Sequence, residues 1–256
     1  MSTIILEGQT MSTQSLSTLI ADKGTSKINR EKLALIPTPI GTRTHKPIEH
    51  IQVVEALIET LGFRKISVVH DEYAVSHDGM RMFGLLDLSI GFEGCRFSIG
   101  IRNGNDKSLR LALTIGYRVF VCSNMAFAGD FTPLIAKHTS KFSLEDALAI
   151  GVDKIQRNFE PLQRQVEIWR NHRLSDMEAK SIIYEAFIEG QLDAPKSLVS
   201  MVHSLYFDPI YPEFMERSFW SLSNAFTSAF KELKPSSQFE ATAKLGEFLS
   251  RYTPKF

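Results

Sequence analysis

Alternation of apolar and polar side chains marks the part of the chain between residues 66 and 122. Apolar residues at every second position are typical of β-strands that bury one face. Turn-forming sequences interrupt the alternation, among them Asp78-Gly79 and the stretch from Asn103 to Asp106. The pattern therefore predicts an antiparallel β-meander of about four to six strands.

The apolar period changes to that of amphipathic helices on both sides of this region. Apolar residues between positions 51 and 61 predict one helix before the strands, and Gly62 is a natural end for it. After residue 142 the periodicity is helical throughout. Helix-start sequences occur at Ser143, Ser175 and Ser237.

A proline divides the first of the later helical runs. Pro161 is expected to break or kink the helix after Glu160, because it lacks the backbone N–H that a helix interior needs.

Together these patterns predict an α+β fold, with an antiparallel β-meander preceded by one helix and followed by an all-helical C-terminal half. We expect three regions along the chain. Residues 1–45 are rich in Ser and Thr near their start and are expected to be a loosely ordered N-terminal segment. Residues 46–142 would hold the first helix and the sheet, and residues 143–256 a helical region packed on or beside the sheet.

Composition narrows the class of protein. The chain has 256 residues, of which 43% are hydrophobic and 23% charged, as in ordinary globular proteins. Two cysteines in a chain of this length exclude a disulfide framework and favour a reducing compartment. No apolar run is long enough for a membrane helix, and the first residues lack a signal-peptide pattern. We therefore expect a cytoplasmic protein with no membrane partner.

Charge is balanced over the whole chain but not along it. The 29 basic and 29 acidic residues give a net charge of zero, which excludes a uniformly basic nucleic-acid binder. Residues 96–141 nevertheless contain seven basic and two acidic residues, whereas residues 143–216 contain seven basic and thirteen acidic ones.

Four arginines alternate with apolar residues in the central strands. If the strands on either side of the Asn103 to Asp106 turn pair, one face of the sheet carries all four; we name this the arginine face. Its members are Arg96, Arg102, Arg110 and Arg118, with Lys107 beside them. Two interpretations are open: a solvated or helix-paired polar face, or an anion-binding surface. Asn124, just past the last strand, could specify a turn or read the edge of a base.

Sequence motifs for catalysis or for a cofactor are absent, including the P-loop, the dinucleotide-binding glycine motif and the zinc-protease helix. We therefore predict no catalytic residue and no cofactor. Four carboxylates near the strands could hold a divalent metal, but their spacing matches no known ligand pattern, so we take solvated loop positions as the default and predict no metal site. They are Asp71, Glu72, Asp78 and Asp87.

Several segments carry a resemblance to a known family. "SHDGMRMFG", "RVFVCSNMAF", "AKSIIYEAFIEG" and "WSLSNAFTSAFKEL" are similar to the phage/plasmid-like domain-of-unknown-function family 932. The resemblance runs from about Lys46 to near the C-terminus, and "RNGND" departs from the Asn-Ser-His-Asp-like turn of that family. It implies carriage by phages, plasmids or integrated elements, and it brings no agreed activity.

Three functional hypotheses follow. The leading one is a non-catalytic mobile-element protein that binds single-stranded DNA or RNA along the arginine face, with a homo-oligomer left open. In this hypothesis Arg102, Arg110 and Arg118 contact phosphates, flanked by Arg96 and Lys107. The second is a protein-binding accessory or anti-defence factor that presents the acidic helical half to a host protein. The third is a metal-dependent enzyme that uses the carboxylates near the sheet.

Overall fold

One antiparallel sheet with helices packed on it forms the fold, as seen in a computed structural model. The structure describes residues 25–122, 124–127, 134–139, 141–192, 194–233 and 235–253. The strands are β1 (Thr25–Ile28), β2 (Val68–Ser76), β3 (Arg81–Phe92), β4 (Cys95–Gly104), β5 (Leu111–Val119), β6 (Met125–Phe127) and β7 (Leu134–Ala136). The helices are α1 (Arg30–Ala34), α2 (His50–Gly62), α3 (Leu144–Arg157), α4 (Phe159–Asn171), α5 (Asp176–Phe187), α6 (Val199–Phe207), α7 (Phe219–Ala229) and α8 (Pro235–Ser250).

The sheet is a meander with the order β1-β2-β3-β4-β5-β6. β6 pairs with the C-terminal half of β5, and β7 pairs with its N-terminal half, where Leu111 lies opposite Ala136. The described residues thus contain seven strands, including the predicted meander of β2 to β5. The α+β prediction is confirmed, and the additional strands are the short ones at the two edges.

The helical half packs on the face of the sheet that the alternation predicts to be buried. In β4 and β5, Ile99 lies opposite Ile115 and both are fully buried. The rings of Phe97 and Phe159 lie 4.4 Å apart, so α4 contacts this face directly. The ring of Trp220, in α7, lies 6.0 Å from that of Tyr117. The sheet and the helical half therefore share one core.

Two of the three helix-start sequences cap helices as predicted. The side chain of Ser143 accepts a hydrogen bond from the backbone N–H of Asp146. Ser175 and Glu178 form a complete capping box, in which each side chain bonds the other's backbone N–H. Ser237 instead lies inside α8, which begins two residues earlier at Pro235.

The predicted break near Pro161 lies slightly earlier in the chain. α3 ends at Arg157 and α4 begins at Phe159, so the proline falls in the first turn of α4. Proline is tolerated there because the first N–H groups of a helix have no intrahelical partner.

Part of the segment expected to be loosely ordered is folded against the sheet. β1 pairs with β2, and Leu33 of α1 is 1% exposed. Arg30 forms an ion pair of 2.7 Å with Asp71. The first 24 residues of that segment lie outside the described residues, and the expectation for them stays a prediction.

The part of the chain that the structure describes contains no helix long and apolar enough to cross a membrane.

Candidate nucleic-acid interface

The arginine face exists in the predicted register, but it is not an open surface. Arg96 lies opposite Arg118, and Arg102 lies opposite Ala112. Between these pairs, Ser98 and Thr114 are 0% and 1% exposed. A nucleic acid cannot reach the middle of this face in the observed conformation.

The structure divides the predicted contact residues between two ends of the sheet. Arg110 precedes β5 and Arg118 lies near its end, eight residues further along the chain. A strand advances about 3.3 Å per residue, so the two positions are about 26 Å apart. Arg102, Lys107 and Arg110 lie toward one end, and Arg96, Arg118 and Asn124 toward the other.

Arg118 is buried and paired with carboxylates of the sheet itself. It is 8% exposed, and its Nη2 lies 2.9 Å from Glu72 Oε1 and its Nε 2.9 Å from Asp87 Oδ2. Ser98 donates a hydrogen bond of 2.6 Å to Asp87, and His70 Nε2 lies 3.1 Å from Glu72 Oε1. Arg118 therefore neutralises buried carboxylates, and its guanidinium is not available to a phosphate.

Arg96 and Asn124 are also engaged within the protein. The guanidinium of Arg96 lies over the ring of Phe120, 5.3 Å from its centroid. Asn124 is 1% exposed, and its Nδ2 donates to the backbone oxygen and to Oδ1 of Asn224 in α7, at 3.0 and 3.1 Å. The backbone oxygen of Asn124 accepts from the N–H of Val119. Asn124 thus closes a turn and joins the sheet to α7, and it is inaccessible to a base.

Arg102 has an incompletely satisfied side chain. It is half-buried, and its Nε has no hydrogen-bond partner among the described residues.

Three loops meet at the end of the sheet where Arg102, Lys107 and Arg110 lie. Residues 41–47 form a tight turn, in which Thr42 and His45 exchange backbone hydrogen bonds. The N–H of Lys46 donates to the oxygen of His138, and His45 forms an isolated bridge with Thr139. Ile48 and Asn105 bond each other through the side-chain amide of Asn105, which ties in the turn between β4 and β5. These contacts hold residues 41–47, 105–110 and, after β7, 137–139 and 141 side by side.

Six exposed cations project from these three loops, and we name them the cationic end. They are Arg43, Lys46, Lys107, Arg110, Lys137 and Lys141. None of the six has an ion-pair partner within the described ranges of the chain. Arg110 and Lys137 lie one residue beyond the paired Leu111 and Ala136, and so are neighbours across the β5–β7 edge.

A single carboxylate belongs to the same loops. Asp106 lies 3.7 Å from Arg81 and accepts hydrogen bonds from the hydroxyl and N–H of Ser108. Partial burial acts to raise the pKa of Asp106, but the Ser108 bonds and the charge of Arg81 lower it below the ordinary value. Asp106 is therefore an anion at neutral pH, and the three loops keep a large positive excess.

Three histidines lie beneath the cationic end. The ring of His45 stacks on that of His138 at 5.7 Å, and His138 stacks on Phe142 at 6.3 Å. His138 is 5% exposed, and neither of its ring nitrogens has a hydrogen-bond partner among the described residues. Burial, with smaller contributions from His45 and His50, lowers the pKa of His138 to about 4.

His50 is fixed as a neutral ring. Its Nε2 lies 2.9 Å from the oxygen of Gly79, which can only accept, so Nε2 carries the proton. Its Nδ1 then accepts from the side-chain amide of Asn103 at 2.9 Å. Burial lowers the pKa of His50, although the bond to Gly79 acts in the opposite direction.

The carboxylates proposed for a metal do not converge. Asp71 bonds Arg30 and the hydroxyl of Tyr73, on the face opposite Glu72 and Asp87. Asp78 lies in a turn, where it accepts from the N–H of Met80. Within the described residues, no group of three or more His, Cys, Asp or Glu side chains is placed to hold a metal ion.

Sequence reasoning named Lys107 and Arg110 as contact residues and missed the other four cations of the cationic end. Arg43 and Lys46 belong to "GTRTHKP", which precedes β2 by about 20 residues and carries no strand pattern. The signal available was a basic, proline-bounded loop, and nothing in the sequence linked that loop to the turn before β5.

Neither a scan against models of known protein families nor searches of curated proteins and solved structures found a match for this chain.

Proposed function

We propose that this protein binds single-stranded DNA or RNA, without catalysing a reaction, at the cationic end. The mobile-element setting and the cytoplasmic location expected from the sequence are part of this proposal. The observation that supports it most is the convergence of six exposed, unpaired cations from three loops of the described chain, with Asp106 as the carboxylate among them. Such a surface suits a phosphate backbone, which carries one charge per nucleotide.

The shape of this surface favours single strands over duplexes. The three loops have different lengths, and a flexible strand can follow them more closely than a duplex with a persistence length of about 50 nm. Binding through phosphates alone carries no sequence information, so we expect little preference among sequences.

Salt dependence provides the first test. For single strands, the logarithm of affinity falls with the logarithm of salt concentration at a slope of about −0.7 per neutralised phosphate. Engagement of about three to six cations therefore predicts a slope between about −2 and −4. Fluorescence anisotropy with labelled single-stranded and duplex oligonucleotides over a salt series measures it. Absence of binding at low salt would reject the proposal.

A double charge reversal locates the site. Arg110→Glu with Lys137→Glu changes two exposed, neighbouring residues of the cationic end. Loss of two phosphate contacts is expected to weaken binding at least about 25-fold at 0.1 M salt and to flatten the slope by about 1.4. The matched control is Lys180→Glu with Lys196→Glu, which makes the same charge change on exposed residues of the helical half. Equal losses in the two variants would assign the effect to net charge rather than to this surface.

A protein partner is the second candidate, supported by an apolar stripe on α5. Met177, Tyr184 and Ile188 are 76%, 54% and 41% exposed, and their spacing places them along one side of the helix. Glu185 and Glu189 lie beside them in the acidic half. Capture of one host protein in stoichiometric amount, lost in Tyr184→Glu and retained after nuclease treatment, would favour this candidate.

A further inference from the structure

His45 joins the three loops of the cationic end through both of its ring nitrogens. Nδ1 lies 3.1 Å from the backbone oxygen of His138, and Nε2 lies 3.2 Å from that of Asn105. Both oxygens are carbonyl acceptors. A neutral imidazole has one N–H and can satisfy only one of them, and its second nitrogen then turns a lone pair toward the other oxygen. An imidazolium donates to both.

We propose that nucleic-acid binding at the cationic end is coupled to protonation of His45, so that the complex takes up a proton and tightens as pH falls. This rests on the proposed function and specifies its regulation. Protonation adds one positive charge to the surface and completes the hydrogen bonds that hold the loops together.

The surroundings of His45 couple its protonation to binding. The imidazolium shares the three loops with six cations, and the two carbonyl oxygens accept its N–H groups. A bound phosphate backbone screens the cations and so favours the imidazolium. By linkage, protonated His45 then favours the ligand by the same factor. The charged or titratable groups of the surrounding elements are Arg43 and Lys46 of its own loop, Glu49 and His50 at the start of α2, Asp106, Lys107 and Arg110 of the β4–β5 turn, and Lys137, His138 and Lys141 after β7.

The other two histidines do not provide the same response. His50 has a complete set of partners as a neutral ring, with Gly79 accepting and Asn103 donating. His138 is buried without partners for its ring nitrogens in the described chain, so protonation there costs stability and forms no bond. His45 is the histidine of the three whose observed contacts improve on protonation.

The expected size follows from the added charge. One more neutralised phosphate tightens binding to a single strand by about fivefold at 0.1 M salt and makes the salt slope steeper by about 0.7. Both changes are measured by comparing binding at pH 8 with binding at pH 6.

The experiment measures the affinity of the full chain for a labelled oligothymidylate at these two pH values. The same series of ionic strengths is used at both. The wild type is expected to bind about fivefold more tightly at the lower pH, with the steeper slope. His45→Gln should lose both effects, because glutamine does not titrate. The matched control His203→Gln removes an exposed histidine of α6 and should keep both effects.

A measurement on the unliganded and liganded wild type does not depend on any variant folding. Nitrogen-15 NMR of the imidazole reports whether one or both ring nitrogens of His45 carry a proton. Both should be protonated in the complex over a wider pH range than in the free protein. Binding with equal affinity and slope at the two pH values, or an unchanged His45 spectrum on binding, overturns the coupling and leaves the proposed function intact. Absence of binding at both pH values, even at low salt, rejects the proposed function itself.

Discussion

Acid should destabilise this protein through His138 in particular. The imidazole is stacked between His45 and Phe142, is 5% exposed and has no hydrogen-bond partner for either ring nitrogen among the described residues. The folded state therefore holds the ring neutral, and the pKa of His138 falls to about 4 because of burial and, to a lesser degree, the neighbouring His45 and His50. In the unfolded chain the ring titrates at its ordinary pKa of about 6.5.

The sign follows from proton linkage. Between about pH 6.5 and pH 4 the unfolded chain binds a proton that the folded protein does not, so lowering the pH favours unfolding. Each pKa unit corresponds to about 1.4 kcal/mol, which gives a full penalty of about 3 kcal/mol below pH 4. Between pH 7 and pH 5, this group alone should lower the free energy of unfolding by about 2 kcal/mol.

His138→Phe isolates this contribution. Phenylalanine keeps an aromatic ring in the stack, does not titrate and abandons no hydrogen bond of the described structure. The assay is urea unfolding of the wild type and the variant at pH 7 and pH 5. The wild type should lose about 2 kcal/mol more than the variant between the two values. Equal losses would show that His138 is not held neutral by burial, and would refute the reasoning.

Two further predictions concern residues away from the cationic end. Arg118→Met leaves Glu72 and Asp87 buried without their cation, and the free energy of unfolding, measured with urea, should fall by about 3–5 kcal/mol. Changing both carboxylates to amides in the same chain should recover much of that loss, and a triple variant as unstable as Arg118→Met alone would contradict the pairing. Ser175→Ala removes the capping box that it forms with Glu178 and should cost about 1 kcal/mol, seen as a lower thermal midpoint. An unchanged midpoint would mean that the box adds no stability.

Local patterns were enough to predict the class of fold. The two-residue period from β2 to β5 and the helical period after residue 142 are properties of short segments, because side-chain direction follows from the backbone within a few residues. The same reasoning placed Ser143 and Ser175 at helix starts, since a cap involves only four successive positions. It failed for Ser237, where the proline two residues earlier is an equally good start.

The candidate site could be predicted only in part. Alternation correctly placed Arg96, Arg102 and Arg118 on one face, since the register of a hairpin is nearly a local property. It could not show that Glu72 and Asp87 arrive beside Arg118, because those contacts need the pairing of four strands, β2 to β5. The tertiary structure therefore changed the predicted role of Arg118 from phosphate contact to buried ion pair.

The sequence by itself determined the strands from β2 to β5 and the helical character of the C-terminal half, and that basic residues are concentrated around the central strands. Only the tertiary structure decided which of these charges are available to a ligand. Arg43 and Lys46 reach the surface beside Arg110 through contacts between loops more than 50 residues apart. At the other end of the sheet, Asn124 is buried against Asn224, which lies 100 residues further along the chain. Burial and pairing depend on such long-range contacts, and these are absent from any local pattern of residues.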